Sequence, residues 1–249
     1  MKKSFLKKWA LWTILSALPC QAQAFWDKIF SFFKASKVQK SDPSLNDKKH
    51  FLQQNVLPLE FNGEKGFQYT FGPKEAPSTL VIYTSQACHG CAHVHTQYLP
   101  RLLEKEYVKK GLLRIIVRDY PADPLSLYAS AFAWQFPDQI HRIQNALFES
   151  VLSSKSWVSD QADSKTLEDA LEKVRKIIKK TIHTEIPDSK PSDRLIKSIF
   201  AIKMRDKEGL NVQATPYFFL HHKDKPLQTL ESDIGVHLFF KWLEEHLTH

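Results

Sequence analysis

The stretch that decides the fold is Thr79-Leu80-Val81-Ile82-Tyr83-Thr84, followed at once by Ser85-Gln86-Ala87-Cys88-His89-Gly90-Cys91-Ala92-His93-Val94-His95. The first six residues form a short apolar run rich in β-formers, the pattern of a buried strand. Beyond them Tyr98, Leu99, Leu102, Leu103 and Tyr107 recur at helical spacing. Pro100 should kink that helix, because it lacks an N–H and crowds the turn before it. Gly111 is a natural stop. Residues 112–117 (LLRIIV) read as a second buried strand. A strand, a helix and a strand joined by short connections form a right-handed βαβ crossover. Two cysteines and three histidines therefore fall where the first strand turns into the helix.

Working outward, residues 67–71 (FQYTF) read as a strand, with a turn-rich segment at 72–77 (GPKEAP). From Pro124 to about Gly209 nothing reads as strand. Two helices broken by Pro137 come first, a third carries the stripe Leu167, Leu171, Val174 and Ile178, and a fourth begins near Leu195. Strand character returns at residues 217–221 (YFFLH), with a hairpin partner at 227–230 and a closing helix over 236–247. The outline is one α/β domain over residues 67–249 that carries a helical insertion at about 124–209.

The N-terminus has another purpose. Lys2, Lys3, Lys7 and Lys8 precede the apolar residues 10–19 (ALWTILSALP), and Ala22-Gln23-Ala24 offers a small-x-small cleavage site. The apolar run falls short of the roughly twenty residues a membrane crossing needs. Residues 1–24 are expected to be a cleaved signal peptide that sends the protein to a bacterial periplasm. Residues 25–37 (FWDKIFSFFKASK) can form an amphipathic helix, and the polar, proline-containing residues 40–49 read as a linker, so 25–66 stands as an N-terminal helix and linker. The apolar face of that helix either docks on its own domain, pairs with a second copy as a homodimer, or meets an anionic membrane surface.

Removing the signal alters both the charge and the cysteine count. Four of the 35 basic residues and none of the 27 acidic ones lie in it, which halves the net charge of +8. What remains is too mild and dispersed for nucleic-acid binding. Of Cys20, Cys88 and Cys91, only the last two survive. A bridge closing so small a loop removes little entropy from the unfolded chain, so the pair is expected to serve chemistry rather than stapling.

Cys88 would occupy the first turn of a helix, where free N–H groups and the helix dipole favour an anion. A thiolate there is the attacking species of thiol–disulfide exchange. Cys91 lies on the same helical face and would be the more buried, resolving thiol. His89 would add positive charge beside Cys88, and Gly90 leaves the backbone open to substrate. Far along the chain, Ala214-Thr215-Pro216-Tyr217 opens the last long strand. A cis Thr215–Pro216 bond would turn this loop against the dithiol and expose backbone for pairing with a substrate chain.

Two other readings compete. His89, Cys91, His93 and His95 offer nitrogen and sulfur ligands. However, 88, 91 and 95 share one helical face while 89 and 93 point elsewhere, so no metal is assigned. His93 is expected at the surface, and His95 at the core edge or against the helical insertion. A scaffold or adhesin with a permanently closed Cys88–Cys91 bridge is the non-enzymatic alternative.

These residues resemble the thioredoxin superfamily, in its exported DsbA-like branch. The likeness runs over residues 68–246. It rests on the strand–CHGC–helix unit, Pro100, Val117-Arg118-Asp119-Tyr120-Pro121, Asp123-Pro124-Leu125-Ser126 and Thr215-Pro216. It implies a thioredoxin fold with an inserted helical subdomain, a nucleophilic first cysteine and a cis-proline loop that binds substrate. No cofactor is called for. The implied activity is introducing disulfides into unfolded or reduced envelope proteins, with recharging by a membrane quinone-linked oxidase. A dimeric isomerase or a reductase is the alternative. Two departures stand out: His-Gly replaces the usual Pro-His between the cysteines, and Ile82 stands where the family often has a glutamate.

Overall fold

The computed structural model describes residues 31, 42–58, 66–158, 164–184, 186, 190–232 and 234–247. The expected signal peptide and, apart from Ser31, the expected amphipathic helix over 25–37 lie outside them. Among the described residues, no helix is long and apolar enough to cross a membrane.

The first described element corrects the linker reading. Residues Leu45–Asn55 form helix α1, started by a reciprocal cap. The Ser44 hydroxyl accepts the Asp47 N–H and the Asp47 carboxylate accepts the Ser44 N–H, both at 3.2 Å. A polar surface and a nearby proline had suggested linker, but capping and a few apolar anchors suffice for a docked helix. Leu52 and Val56 are buried, and Lys48 is buried in an ion pair with Asp42.

Strand β1 (Gln68–Phe71) and strand β2 (Ser78–Thr84) follow. The active-site helix then runs as α2 (His89–His93), a single π-turn (Val94–Tyr98) and α3 (Leu99–Leu103). Pro100 explains the interruption. It has no N–H to give the carbonyl one turn back, and its ring crowds that carbonyl. The wider turn relieves both problems, with the Leu99 N–H reaching the Val94 carbonyl. Short helix α4 (Glu106–Lys109) ends before Gly111, whose φ of +71° suits glycine. Strand β3 (Leu113–Asp119) completes the crossover, running parallel to β2.

The insertion comprises α5 (Pro124–Ala133), a 3-10 turn (Pro137–Gln139), α6 (Ile140–Val151), α7 (Ser164–Ile182) and α8 (Asp193–Leu210). Asp123 caps α5 by accepting the Ser126 N–H at 2.8 Å, with Pro124 in the first turn where its missing N–H costs nothing. The chain returns through β4 (Tyr217–His222) and β5 (Gln228–Glu231) and ends with α9 (Val236–Leu247).

The sheet order is β1-β3-β2-β4-β5, with β2 and β3 parallel and the other neighbours antiparallel. Helices cover both faces, which is why β2 and β3 lack polar alternation. Leu80, Ile82, Ile115, Val117, Phe218 and Leu220 face a large core shared with the insertion and α9. Val81, Tyr83, Ile116 and Phe219 face a smaller core closed by α1 and the end of α8. On that second face Arg118 and Asp206 form a fully buried ion pair, joined by the Tyr83 hydroxyl at 3.2 Å and by Gln68. The pair ties α8 to the sheet. Gly209 lets α1 approach α8 closely: a Cβ there would lie 2.1 Å from the Phe51 ring.

Candidate active site

The active-site loop begins where β2 stops. Cys88 is the N-cap of α2, with extended backbone (φ −87°, ψ 121°) and its sulfur in the place a capping oxygen would occupy. The Cys91 N–H donates to the Cys88 Sγ at 3.1 Å. Cys88 is partly buried, whereas Cys91 is fully buried and its Sγ accepts the Ser85 N–H at 3.4 Å. The two thiols are unbridged.

The two sulfurs differ in acidity because their surroundings differ. Hydrogen bonding from Cys91, joined by Thr215 and the Gly90 backbone and opposed by burial, brings the Cys88 thiol down to about 7. Burial first, and then the neighbouring Cys88, push the Cys91 thiol well above its ordinary value. One sulfur is therefore readily ionised and exposed enough to attack, while the other is held back as a thiol.

A second loop completes the site. The Thr215–Pro216 peptide bond is cis, and the Cys88 Sγ donates to the Thr215 carbonyl oxygen at 3.3 Å. Sequence analysis brought Cys88, Cys91, Thr215 and Pro216 together, and all four meet here. His89 is exposed in the first turn of α2. The other histidines lie apart from the sulfurs. His93 is half-buried, while His95 is buried and stacked on Phe148 of α6 at 4.0 Å between ring centres. Burial holds the His95 imidazole down to about 3, so it is neutral. Among the described residues, no group of three or more His, Cys, Asp or Glu side chains is arranged to hold a metal ion.

Two polar clusters behind the dithiol were not foreseen. In one, Ser126 Oγ accepts from Ser85 Oγ at 2.9 Å and from the Ala87 N–H at 3.1 Å, and donates to Asp123 at 2.9 Å. Ser85 Oγ in turn accepts the Ala122 N–H at 3.0 Å. The insertion thus holds the loop that supplies the Cys91 contact. In the other, the buried Asp119 carboxylate accepts from Gln86 at 3.4 Å, Gln144 at 3.1 Å and the Trp134 indole. Asp119-Tyr120-Pro121 was visible in the sequence, but an aspartate ending a strand ordinarily reads as exposed. Nothing local marks it as buried.

An ionisable N-cap thiol backed by a buried partner is the equipment of thiol–disulfide exchange, and it places the molecule in the thiol:disulfide oxidoreductase class. The model of the family described as Thioredoxin matches residues 64–232, and the chain belongs to that family. Its fold is also found in solved structures of low sequence identity. Wolbachia pipientis alpha-DsbA1 is 20% identical with a TM-score of 0.53, over 72% of this chain and 90% of that one. A protein-disulfide isomerase from Novosphingobium aromaticivorans is 16% identical with a TM-score of 0.53, over 74% and 99%. Proteus mirabilis ScsC, in a transitional conformation, is 16% identical with a TM-score of 0.52, over 91% and 89%. No curated protein sequence matches the chain.

Proposed function

We propose that the protein introduces disulfide bonds into unfolded or reduced envelope proteins, using Cys88 as the attacked sulfur and Cys91 as the resolving one. The observation that carries the reading is the contrast within the pair: an N-cap Cys88 lowered to about 7 beside a buried Cys91 raised far above it.

A client thiolate attacks the Cys88 sulfur of the Cys88–Cys91 disulfide. The Cys91 sulfur leaves with the bonding pair and takes up a proton. A second client thiolate then attacks the client sulfur of the mixed disulfide. The client gains a disulfide, and Cys88 leaves as a thiolate stabilised by the Cys91 N–H. Two electrons have passed to the dithiol, and a membrane quinone-linked oxidase removes them. The Thr215–Pro216 loop, 3.3 Å from the Cys88 sulfur, offers backbone to the client chain, and exposed His89 follows Cys88 in the first turn of α2, where a client chain would meet it. Stabilising the Cys88 thiolate stabilises the reduced protein, which favours the oxidising direction. Residues 1–24 export the chain to the periplasm in this reading.

A second reading, a dimeric isomerase or a reductase, draws support from the moderate lowering of Cys88, to about 7. An isomerase would use residues 25–37 to pair two copies, and size exclusion with and without residues 25–49 tests that. The main test mixes oxidised protein with a reduced, unfolded client. Oxidase action predicts stoichiometric transfer of one disulfide per protein, abolished in Cys88→Ser. Reshuffling of a scrambled client without net thiol loss would favour the isomerase instead.

A further inference from the structure

Resting on that reading, we propose that Asp119 is the group that receives and returns the proton of the Cys91 thiol, through a water bridged by Thr84 and Gln86. Cys91 is fully buried, so its proton has no direct route to solvent. Each half-reaction nevertheless requires one to move. When a mixed disulfide at Cys88 is resolved, the Cys91 S–H proton passes to the Asp119 carboxylate. The Cys91 thiolate then attacks Cys88, the Cys88–Cys91 bond forms, and the client sulfur leaves as a thiolate. When the disulfide is attacked by a client thiolate, the Cys91 sulfur departs as a thiolate and Asp119 gives the proton back. The same carboxyl serves both directions.

The register of the sheet places the carboxyl correctly. Thr84 and Asp119 are paired at the ends of parallel strands β2 and β3. Asp119 alternates with Val117 and Ile115, so it lies on the sheet face that also packs against Cys91. Its sequence neighbour Arg118 points to the opposite face and pairs with Asp206. The Ser85 N–H, which touches the Cys91 sulfur, lies between Thr84 and Gln86, and the Gln86 amide donates to Asp119 at 3.4 Å. Thr84 Oγ1 and Gln86 Oε1 are buried with no hydrogen-bond partner. Unmet polar atoms of this kind are what an internal water satisfies.

The surroundings of Asp119 leave it uncompensated. Ser130 from α5, Trp134 just after its end, Gln144 from α6, Gln86 from the loop and Tyr69 from β1 are the polar groups facing it. Of these only Tyr69 is titratable, and burial and the Asp119 charge both push it up. Beyond it lies His95, which is neutral. Burial, partly offset by the Trp134, Gln86, Ser130 and Gln144 hydrogen bonds, raises the Asp119 carboxyl to about 6. A group ionising there can both hold and release a proton near neutrality.

The test mixes reduced protein with oxidised glutathione, quenches with acid between pH 5 and 8, and follows both the Cys88–glutathione species and the Cys88–Cys91 disulfide by mass. For the intact chain, resolution should rise with pH through an inflection near 6. Asp119→Asn should remove the inflection and slow resolution at pH 7 by about a hundredfold, the lower range for losing a general acid–base group, while glutathionylation of Cys88 keeps its rate. Ile82→Glu added to Asp119→Asn should restore the step, because Ile82 lies on the same face of the adjacent strand. A folded Asp119→Asn protein with an unchanged resolution profile overturns the inference. If Asp119→Asn does not fold, Thr84→Val and Gln86→Ala carry the test: slower resolution supports the relay, and unchanged rates in both refute it. Failure of the intact chain to form the Cys88–Cys91 disulfide at all would instead overturn the functional reading beneath it.

Discussion

The Cys88 thiol and the Thr215 carbonyl oxygen stand 3.3 Å apart although 127 positions separate them in the chain. That contact joins the strand–helix joint to the loop opening β4, and it makes Cys88 answerable to two segments at once. Hydrogen bonding from Cys91, joined by the Thr215 side chain and the Gly90 backbone, holds the Cys88 thiol at about 7. Alkylation of the reduced protein by iodoacetamide should therefore reach half its maximal rate near pH 7, below the unperturbed cysteine value of about 8.5. Mass mapping should find the label on Cys88, with Cys91 unreacted until the fold is lost. A midpoint above pH 8 would remove the activated nucleophile.

Asp119 also leaves a signature in stability. Its folded-state pKa, about 6, lies above the ordinary 3.8. Between those values the native state binds the proton more tightly than the unfolded chain does. The stability associated with it is fully present below about pH 4 and is lost as the pH rises through 6. Neutral, buried His95 acts in the opposite sense through an overlapping range, so the comparison must be between proteins. Relative to the intact chain, Asp119→Asn should become more favourable by roughly 3 kcal/mol between pH 4 and pH 7.5, an order-of-magnitude value for a two-unit shift. Urea unfolding at the two pH values measures it, and equal differences at both would contradict the raised carboxyl.

Arg118 and Asp206 are both fully buried, so neither has water to fall back on. Asp206→Ala leaves an uncompensated guanidinium against the sheet and should cost about 3–5 kcal/mol. Denaturant unfolding reads the loss. A change below 1 kcal/mol would mean that the pair does not fasten α8 to the sheet.

The α1–α8 contact offers a steric test. Gly209→Ala would drive a methyl group into the Phe51 ring and should destabilise the protein by about 1–3 kcal/mol. Phe51→Leu in the same chain should recover part of that loss. Additive costs for the two changes, measured by urea unfolding, would deny the contact.

Much of this molecule is legible in its sequence, for identifiable reasons. β2 and β3 are readable because burial on both faces removes polar alternation, and the CHGC segment is readable because a dithiol after a buried strand has few other uses. The π-turn was signalled only as a kink, since Pro100 says that the ladder breaks and not how it is repaired. Helix α1 was missed because its capping box is short and its outer surface polar, while the face that docks rests on few residues such as Leu52. Asp119 and Ser126 were missed for a different reason. Their roles come from elements brought together across the insertion, and a single polar residue carries no sign of its distant partners.

The central claim is that Cys88 and Cys91 form an oxidising couple, and the redox equilibrium of the mature protein with glutathione measures it directly. The account predicts a potential less negative than about −200 mV, toward the oxidising end of the thiol–disulfide scale. A value near −270 mV, that of a reducing thioredoxin-like couple, would contradict it.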